Sequence, residues 1–160
     1  MRFETASLAE TDGETLARRM LAEETGLSPA ALRIRRAANG KPFVENAPVC
    51  FSISHSGGLV LCAVHDKPVG ADIEKITLRP AVMRRVCTPA ECAYIGDDDV
   101  RFTEVWTRKE AFSKLDGRGL SIGLISVPTA DGGGLFPRVC GCAVQTAVLG
   151  AYVLSIVWKD

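Results

Sequence analysis

A chain of 160 residues, 47% of them apolar, can bury the core of one domain or of two small, tightly packed lobes, and is too apolar to be disordered. Nineteen basic side chains balance 19 acidic ones. That balance excludes nucleic-acid or membrane-surface binding driven by bulk charge.

The first helix is expected over Thr11 to Glu24, capped by Thr11 or Asp12 and stopped by Gly26, with Leu16, Met20, Leu21 and Leu27 as its apolar stripe. Ala31 to Ala37 alternates Leu32 and Ile34 with Arg33 and Arg35, the pattern of a half-buried strand with one basic face. Asn39-Gly40 signals a turn, and Lys41-Pro42-Phe43 leaves it extended. Val49 to Ser56 is the next strand. Gly57-Gly58 then turns the chain into Leu59 to Val64, whose unbroken apolar run predicts a central strand. A turn at Asp66-Lys67-Pro68 leads into a strand over Val69 to Glu74. Pro80 to Ile95 reads as a helix broken near Thr88-Pro89, and Gly96 to Asp99 as a solvated acidic cap for the helix that follows.

That next helix, from near Val100 to Gly117, organises the chain. Phe102, Val105, Trp106 and Phe112 fall on one arc that faces a core. Glu110 and Lys114 share a rim one turn apart, which by itself is a surface pair contributing about 0.2–0.5 kcal/mol. Lys109 points into the apolar arc, where the simplest reading is a snorkelling stem. Gly117 supplies the left-handed position that ends the helix. Beyond Leu120, strands are expected at Ile122 to Val127, Leu135 to Cys140, Cys142 to Val148 and Tyr152 to Val157, with a glycine turn at Asp131 to Gly134 and the last two strands forming a hairpin. The expected fold class is therefore α+β, with two similar lobes, residues 1–68 and 69–160, meeting near Lys67 to Ala71.

No apolar run approaches the roughly 18 residues that span a bilayer, and Met1-Arg2-Phe3-Glu4 lacks the pattern of a signal peptide. The six cysteines form no C-x-x-C pair and read as small apolar residues of a reduced, cytoplasmic protein.

In a strand, Asp72 and Glu74 project from the same face, with Ile73 behind them. Two carboxylates that close raise one pKa unless a cation lies between them. Mg²⁺ suits such a pair, because it takes one or two protein carboxylates and fills its other positions with water and phosphate oxygens. Glu110 on the helix rim can add a third oxygen. Taken alone, the D-x-E pattern also fits two solvated acids at a strand end. Ser54 and His55 point to opposite faces of their strand, so His55 does not activate Ser54, and no G-x-S-x-G element supports a hydrolase. A histidine at a strand end among serines more readily binds an anion, and Arg35, Arg36 and Lys41 around the Asn39-Gly40 turn would reinforce it. A structural histidine and a solvated basic edge are the plain alternatives.

Four segments in series carry a resemblance: Gly40-Lys41-Pro42, Phe51 to Ser56, Val69 to Glu74, and Trp106 to Lys114 with Gly117-Arg118-Gly119-Leu120. Between about Arg36 and Leu120 the chain resembles the 4′-phosphopantetheinyl transferases, in particular the surfactin-synthetase-activating class with two lobes in one chain. The resemblance implies transfer of the phosphopantetheine arm of CoA to a serine of an acyl or peptidyl carrier protein, releasing adenosine 3′,5′-bisphosphate. It implies Mg²⁺ as cofactor and a monomer that engages neither nucleic acid nor membrane. By position, Asp72, Glu74 and Glu110 match the metal carboxylates, and Lys114 matches the lysine on the CoA pyrophosphate. Arg36, Lys41, Ser54 and His55 match the positions that hold the adenine nucleotide and its 3′-phosphate, and Asp72 joins the CoA-binding set through the metal. Glu110 and Lys114 are the implied catalytic residues, with Glu110 taking the serine proton directly or through a metal-bound water. Two departures stand out: Ser52 replaces an asparagine, and the chain is short, with the family's first strand and its basic residues expected to be missing before the first helix. A relic that binds CoA or a carrier without turnover is the alternative reading.

Overall fold

The computed structural model describes residues 1–118 and 123–160. Its first helix, α1 (Gly13–Thr25), starts where the Asp12 carboxylate accepts from Thr15 N and stops at Gly26, whose φ of 72° is the left-handed cap. Strands β4 (Cys50–Ser56) and β5 (Leu59–His65) form the expected hairpin. A strand β1 (Arg2–Ser7) pairs antiparallel with the other edge of β5, from Arg2 opposite Val64 to Ser7 opposite Leu59. This corrects the expectation that no strand precedes the first helix. Six residues with Phe3 as the one large apolar side chain give little periodic signal, and the pairing is decided by the open edge of β5. Arg2 and Glu4 then reach across to Glu23 and Arg19 of α1.

Short strands β2 (Ile34–Arg36) and β3 (Pro42–Val44) form a separate two-stranded sheet around the Asn39-Gly40 turn, where Gly40 has a φ of 82°. The strand expected over Ala31 to Ala37 is thus only three residues long. The second half opens with β6 (Val69–Lys75), which pairs with β11 (Tyr152–Trp158). Strand β11 pairs in turn with β10 (Cys142–Leu149), and β10 with the two-residue β9 (Arg138–Val139). Residues Ala130–Asp131 (β7) and Gly134–Leu135 (β8) make a small hairpin at the glycine turn. The expected strand over Ile122 to Val127 is instead a 3-10 turn at Leu124–Ser126, with Ile122 outside the described residues. The broken helix resolves into α2 (Pro80–Val86) and α3 (Pro89–Ile95), separated by Cys87 and by Thr88, which caps α3 in a reciprocal box with Glu91.

The two main sheets lie between two helices. Alternate residues of β5 explain its unbroken apolar run: Val60, Cys62 and Val64 pack under α1, while Leu61 and Ala63 meet Val69, Ala71 and Ile73 of β6 and Leu154 and Ile156 of β11. The other face of the second sheet carries α4 (Asp99–Asp116), capped by the Asp98 carboxylate on Val100 N and Arg101 N. Gly70 allows the closest approach, since a Cβ there would lie 2.0 Å from Ala111 O and 2.5 Å from Leu115 N. From Phe102 to Leu115 no residue of α4 is exposed. The helix is therefore covered at least in part on every side rather than along one arc, and its buried polar side chains must find partners. Thr107 meets Ser155, Ser155 meets Thr146, and Arg108 donates to Thr146 Oγ1 and Phe136 O. Among the described residues, no helix is long and apolar enough to cross a membrane.

Candidate active site

The seam between the two sheets is built from alternate serines of β4. Ser52 Oγ accepts from Ala71 N, Ser54 Oγ donates to Asp72 Oδ1 at 2.7 Å, and Ser56 Oγ donates to Glu74 Oε2. A period of two puts all three hydroxyls on one face, so they meet β6 residue by residue. Sequence reasoning singled out Ser54 alone, although the Ser-x-Ser-x-Ser spacing was the available signal.

Asp72 sits at the centre of the site and is 4% exposed. Lys114 Nζ donates to Asp72 Oδ1 at 2.7 Å and to Ser54 Oγ at 2.8 Å. The rim pair Glu110–Lys114 expected on the helix surface is thus replaced by a bond from Lys114 across to the strand. Among the described residues, Asp72 Oδ2 is buried without a hydrogen-bond partner. Burial raises the Asp72 carboxyl above its usual range, while the Lys114 ammonium and the Ser54 hydroxyl pull it back. Glu74 holds Trp106 Nε1 on one oxygen and Ser56 and Arg79 on the other. Glu110 is half-buried, and its pKa is pushed up to about 7, first by burial and then by the charge of Asp72, with Glu74 adding to it. The three carboxylates therefore feel one another, although among the described residues no three acidic, histidine or cysteine side chains form a ready-made metal cage.

Beside this cluster lies a cavity of about 480 Å³. Arg36, Lys41 and His55 line it from the first half and Lys114 from α4, with Phe51, Ser52 and Pro42 between them. Ser54 does not line it; its hydroxyl is turned to the carboxylate side, as opposite faces for Ser54 and His55 require. Arg36 Nη1 donates to Gly40 O, holding its own turn, and Arg35 is engaged with Glu45 at 2.6 Å. Lys41 Nζ donates to Leu115 O at 3.0 Å, and burial lowers its pKa. Gly13 and Glu14, at the start of α1, and Asn39, at the turn, also line the cavity. Gly13 and Glu14 carried no local signal of a site, and Asn39 was marked only as part of its turn. Gly119 and Leu120 of the last motif lie outside the described residues.

Lys109 departs most from expectation. It is fully buried rather than snorkelling, with its ammonium 2.9 Å from Glu91 Oε1 and donating to Leu124 O and Val127 O. Glu91 in turn accepts from Thr88 N, Thr129 N and Thr129 Oγ1. The pair pins α3 and the segment after α4 to the helix turn that carries Glu110. The sequence analysis gave only a helix break near Thr88-Pro89, and neither the Glu91 cap nor its ion pair was anticipated.

A family model described as the 4′-phosphopantetheinyl transferase superfamily matches residues 68–157. A 4′-phosphopantetheinyl transferase of Bacillus subtilis is 36% identical over 123 residues, covering 71% of this chain and 54% of that protein. The 4′-phosphopantetheinyl transferase psf-1 of Bacillus pumilus is 37% identical over 121 residues, covering 71% and 52%. A phosphopantetheinyl transferase of Thraustochytrium is 32% identical over 146 residues, covering 77% and 51%. The chain spans about half the length of the curated relatives it matches. With matching relatives on both halves and a family model across the carboxylate strand and α4, this chain belongs to the 4′-phosphopantetheinyl transferase superfamily.

Proposed function

We propose that this chain transfers the 4′-phosphopantetheine group of CoA to a serine of an acyl or peptidyl carrier protein and releases adenosine 3′,5′-bisphosphate. The observation that carries this reading is the placement of a carboxylate cluster, centred on the buried Asp72, against a cavity with basic walls. Arg36, Lys41 and His55 supply cationic or donor groups for the nucleotide and its 3′-phosphate, and Lys114 stands between them and Asp72. On this reading residues 1–68 and 69–160 are the two lobes of the family, related by a pseudo-two-fold, and the protein works as a cytoplasmic monomer.

The donor set fits Mg²⁺. It consists of hard carboxylate oxygens, one of them a buried Oδ2 unpartnered among the described residues, with the Glu110 pKa raised to about 7 by burial and then by like charge. Asp72, Glu74 and Glu110 would hold the ion. When bound, it supplies positive charge to a pyrophosphate.

Phosphoryl transfer needs alignment and charge neutralisation more than covalent help from the protein. The serine Oγ of the carrier forms a bond to the β-phosphorus of CoA. The bond from that phosphorus to the bridging oxygen breaks, and the oxygen leaves on adenosine 3′,5′-bisphosphate. Glu110, on the helix face beside Asp72 and Glu74, is the group suited to take the serine proton. Lys114 balances charge on the leaving phosphate, and as it turns to the pyrophosphate it releases Asp72. Incubation with CoA, Mg²⁺ and several apo carriers, read by intact mass, tests the reading. A carrier should gain the mass of one phosphopantetheine group. No gain on any acyl or peptidyl carrier, with CoA bound, would instead identify a CoA-binding relic.

A further inference from the structure

The hairpin of β2 and β3 carries Arg36 and Lys41 to the cavity, yet it belongs to neither main sheet. Sheet hydrogen bonds therefore do not set its distance from α4, which forms the opposite wall through Ser113, Lys114 and Gly117. Val44 and Ile34 root the hairpin in the core under α1, and the direct polar link between the two walls is made at the C-terminus of α4. The last carbonyls of a helix lack intrahelical donors and must be satisfied from elsewhere. Here the donors come from the hairpin. Asn39 Nδ2 donates to Gly117 O at 2.5 Å, and Lys41 Nζ donates to Leu115 O at 3.0 Å. Asn39 Oδ1 meanwhile accepts from Lys41 N at 3.1 Å, so both ends of its amide are used and its orientation is fixed. The turn itself is closed by Gly40 N on Ala37 O and by Ala37 N on Lys41 O. Gly117, with a φ of 85°, presents its carbonyl only three residues after Lys114.

We propose that Asn39 is a positioning residue for CoA: by clasping Gly117 O it sets the spacing between the Arg36 wall and the Lys114 wall of the cavity. This rests on the reading of the cavity as the CoA site. Asn39 places no charge in the cavity, so its effect is separable from that of Lys41, which both clasps the helix and lines the site. Asn39→Asp separates the two uses of the amide. It keeps the acceptor that holds Lys41 N, and hence the turn, but replaces the donor to Gly117 O with a charged oxygen. Its affinity loss therefore also includes repulsion from the phosphates of CoA, and the uncharged Asn39→Ala measures the clasp without that repulsion.

Steady-state kinetics with CoA and an apo carrier, together with calorimetry of CoA binding, test the proposal. Asn39→Ala and Asn39→Asp should both raise KM and Kd for CoA about three- to tenfold, the range a single net hydrogen bond supplies. The kcat at saturating CoA and the KM for the carrier should stay within about twofold, because the reacting groups are intact once CoA is seated. Hydrogen exchange should speed up at the last turn of α4 in Asn39→Asp while the amides of residues 37–41 keep their protection. A wild-type CoA affinity for Asn39→Asp, or a fall in kcat with KM unchanged, overturns the proposal while the functional reading stands. A wild-type protein that does not bind CoA overturns both.

Discussion

Glu110 and Lys109 are neighbours in sequence with opposite electrostatic fates. Glu110 is a carboxyl whose native pKa, about 7, lies above its ordinary 4.5, so the native state holds its proton more tightly than the unfolded chain does. Stability therefore falls as pH rises from about 4.5 to about 7, and the contribution is absent above that window. Metal-free protein should accordingly be less stable at pH 8 than at pH 5.5 on this account, and Glu110→Gln should flatten that limb of the denaturation profile. An unchanged slope in Glu110→Gln would show that the carboxyl is not held near neutrality. Lys109, by contrast, stays paired in the core with Glu91. Lys109→Met leaves a buried carboxylate without its cation and should cost about 3–5 kcal/mol in urea unfolding. Adding Glu91→Gln should recover part of that loss, because the uncompensated charge is gone. A double variant with the summed cost of the two single changes would refute the coupling.

The closeness of β6 and α4 depends on one missing side chain. At Gly70 an added Cβ meets helix backbone rather than a movable side chain, so the helix itself has to shift. Overpacking of this kind costs typically about 1–3 kcal/mol. Glu110 and Lys114 travel with the helix, so Gly70→Ala should lose activity by more than its stability loss explains. Thermal unfolding and turnover at a temperature where the variant remains folded check this, and full activity at that temperature would contradict it. The serine seam is the complementary element, because it holds β6 from its other side through Ala71 N and the two carboxylates.

Across the whole molecule, the cavity draws on both halves, and the carboxylate cluster lies where the second sheet, α4 and the seam meet. On the proposed reading, a cation would relieve the repulsion that Asp72 and Glu74 exert on Glu110, and the pyrophosphate of CoA would supply the oxygens such a cation still needs. Metal and CoA should thus bind cooperatively, with each raising the affinity of the other by the same factor. Calorimetric titration of CoA with and without Mg²⁺ measures that factor. Asp72→Ala should abolish it together with transfer, and an affinity for CoA indifferent to Mg²⁺ would count against the metal site.

By itself the sequence determined several of the local elements and the order of the motifs. Asp12 and Gly26 bracket α1, the unbroken run of β5 announces burial on both faces, and the D-x-E spacing puts Asp72 and Glu74 on one side of β6. These follow from short-range rules of capping and side-chain period, which need no knowledge of the neighbours. Only the tertiary structure decided what lies across from each element. It gave β1 its place on the edge of β5, turned the segment after α4 into a 3-10 turn, and covered α4 at least in part on every side. It also paired Lys114 with Asp72, Lys109 with Glu91 and Asn39 with Gly117. Asn39 and Gly117 stand 78 residues apart in the chain. Bonds of that span leave no periodic trace, because the partner of a buried polar group is chosen by the packing that removes water from it.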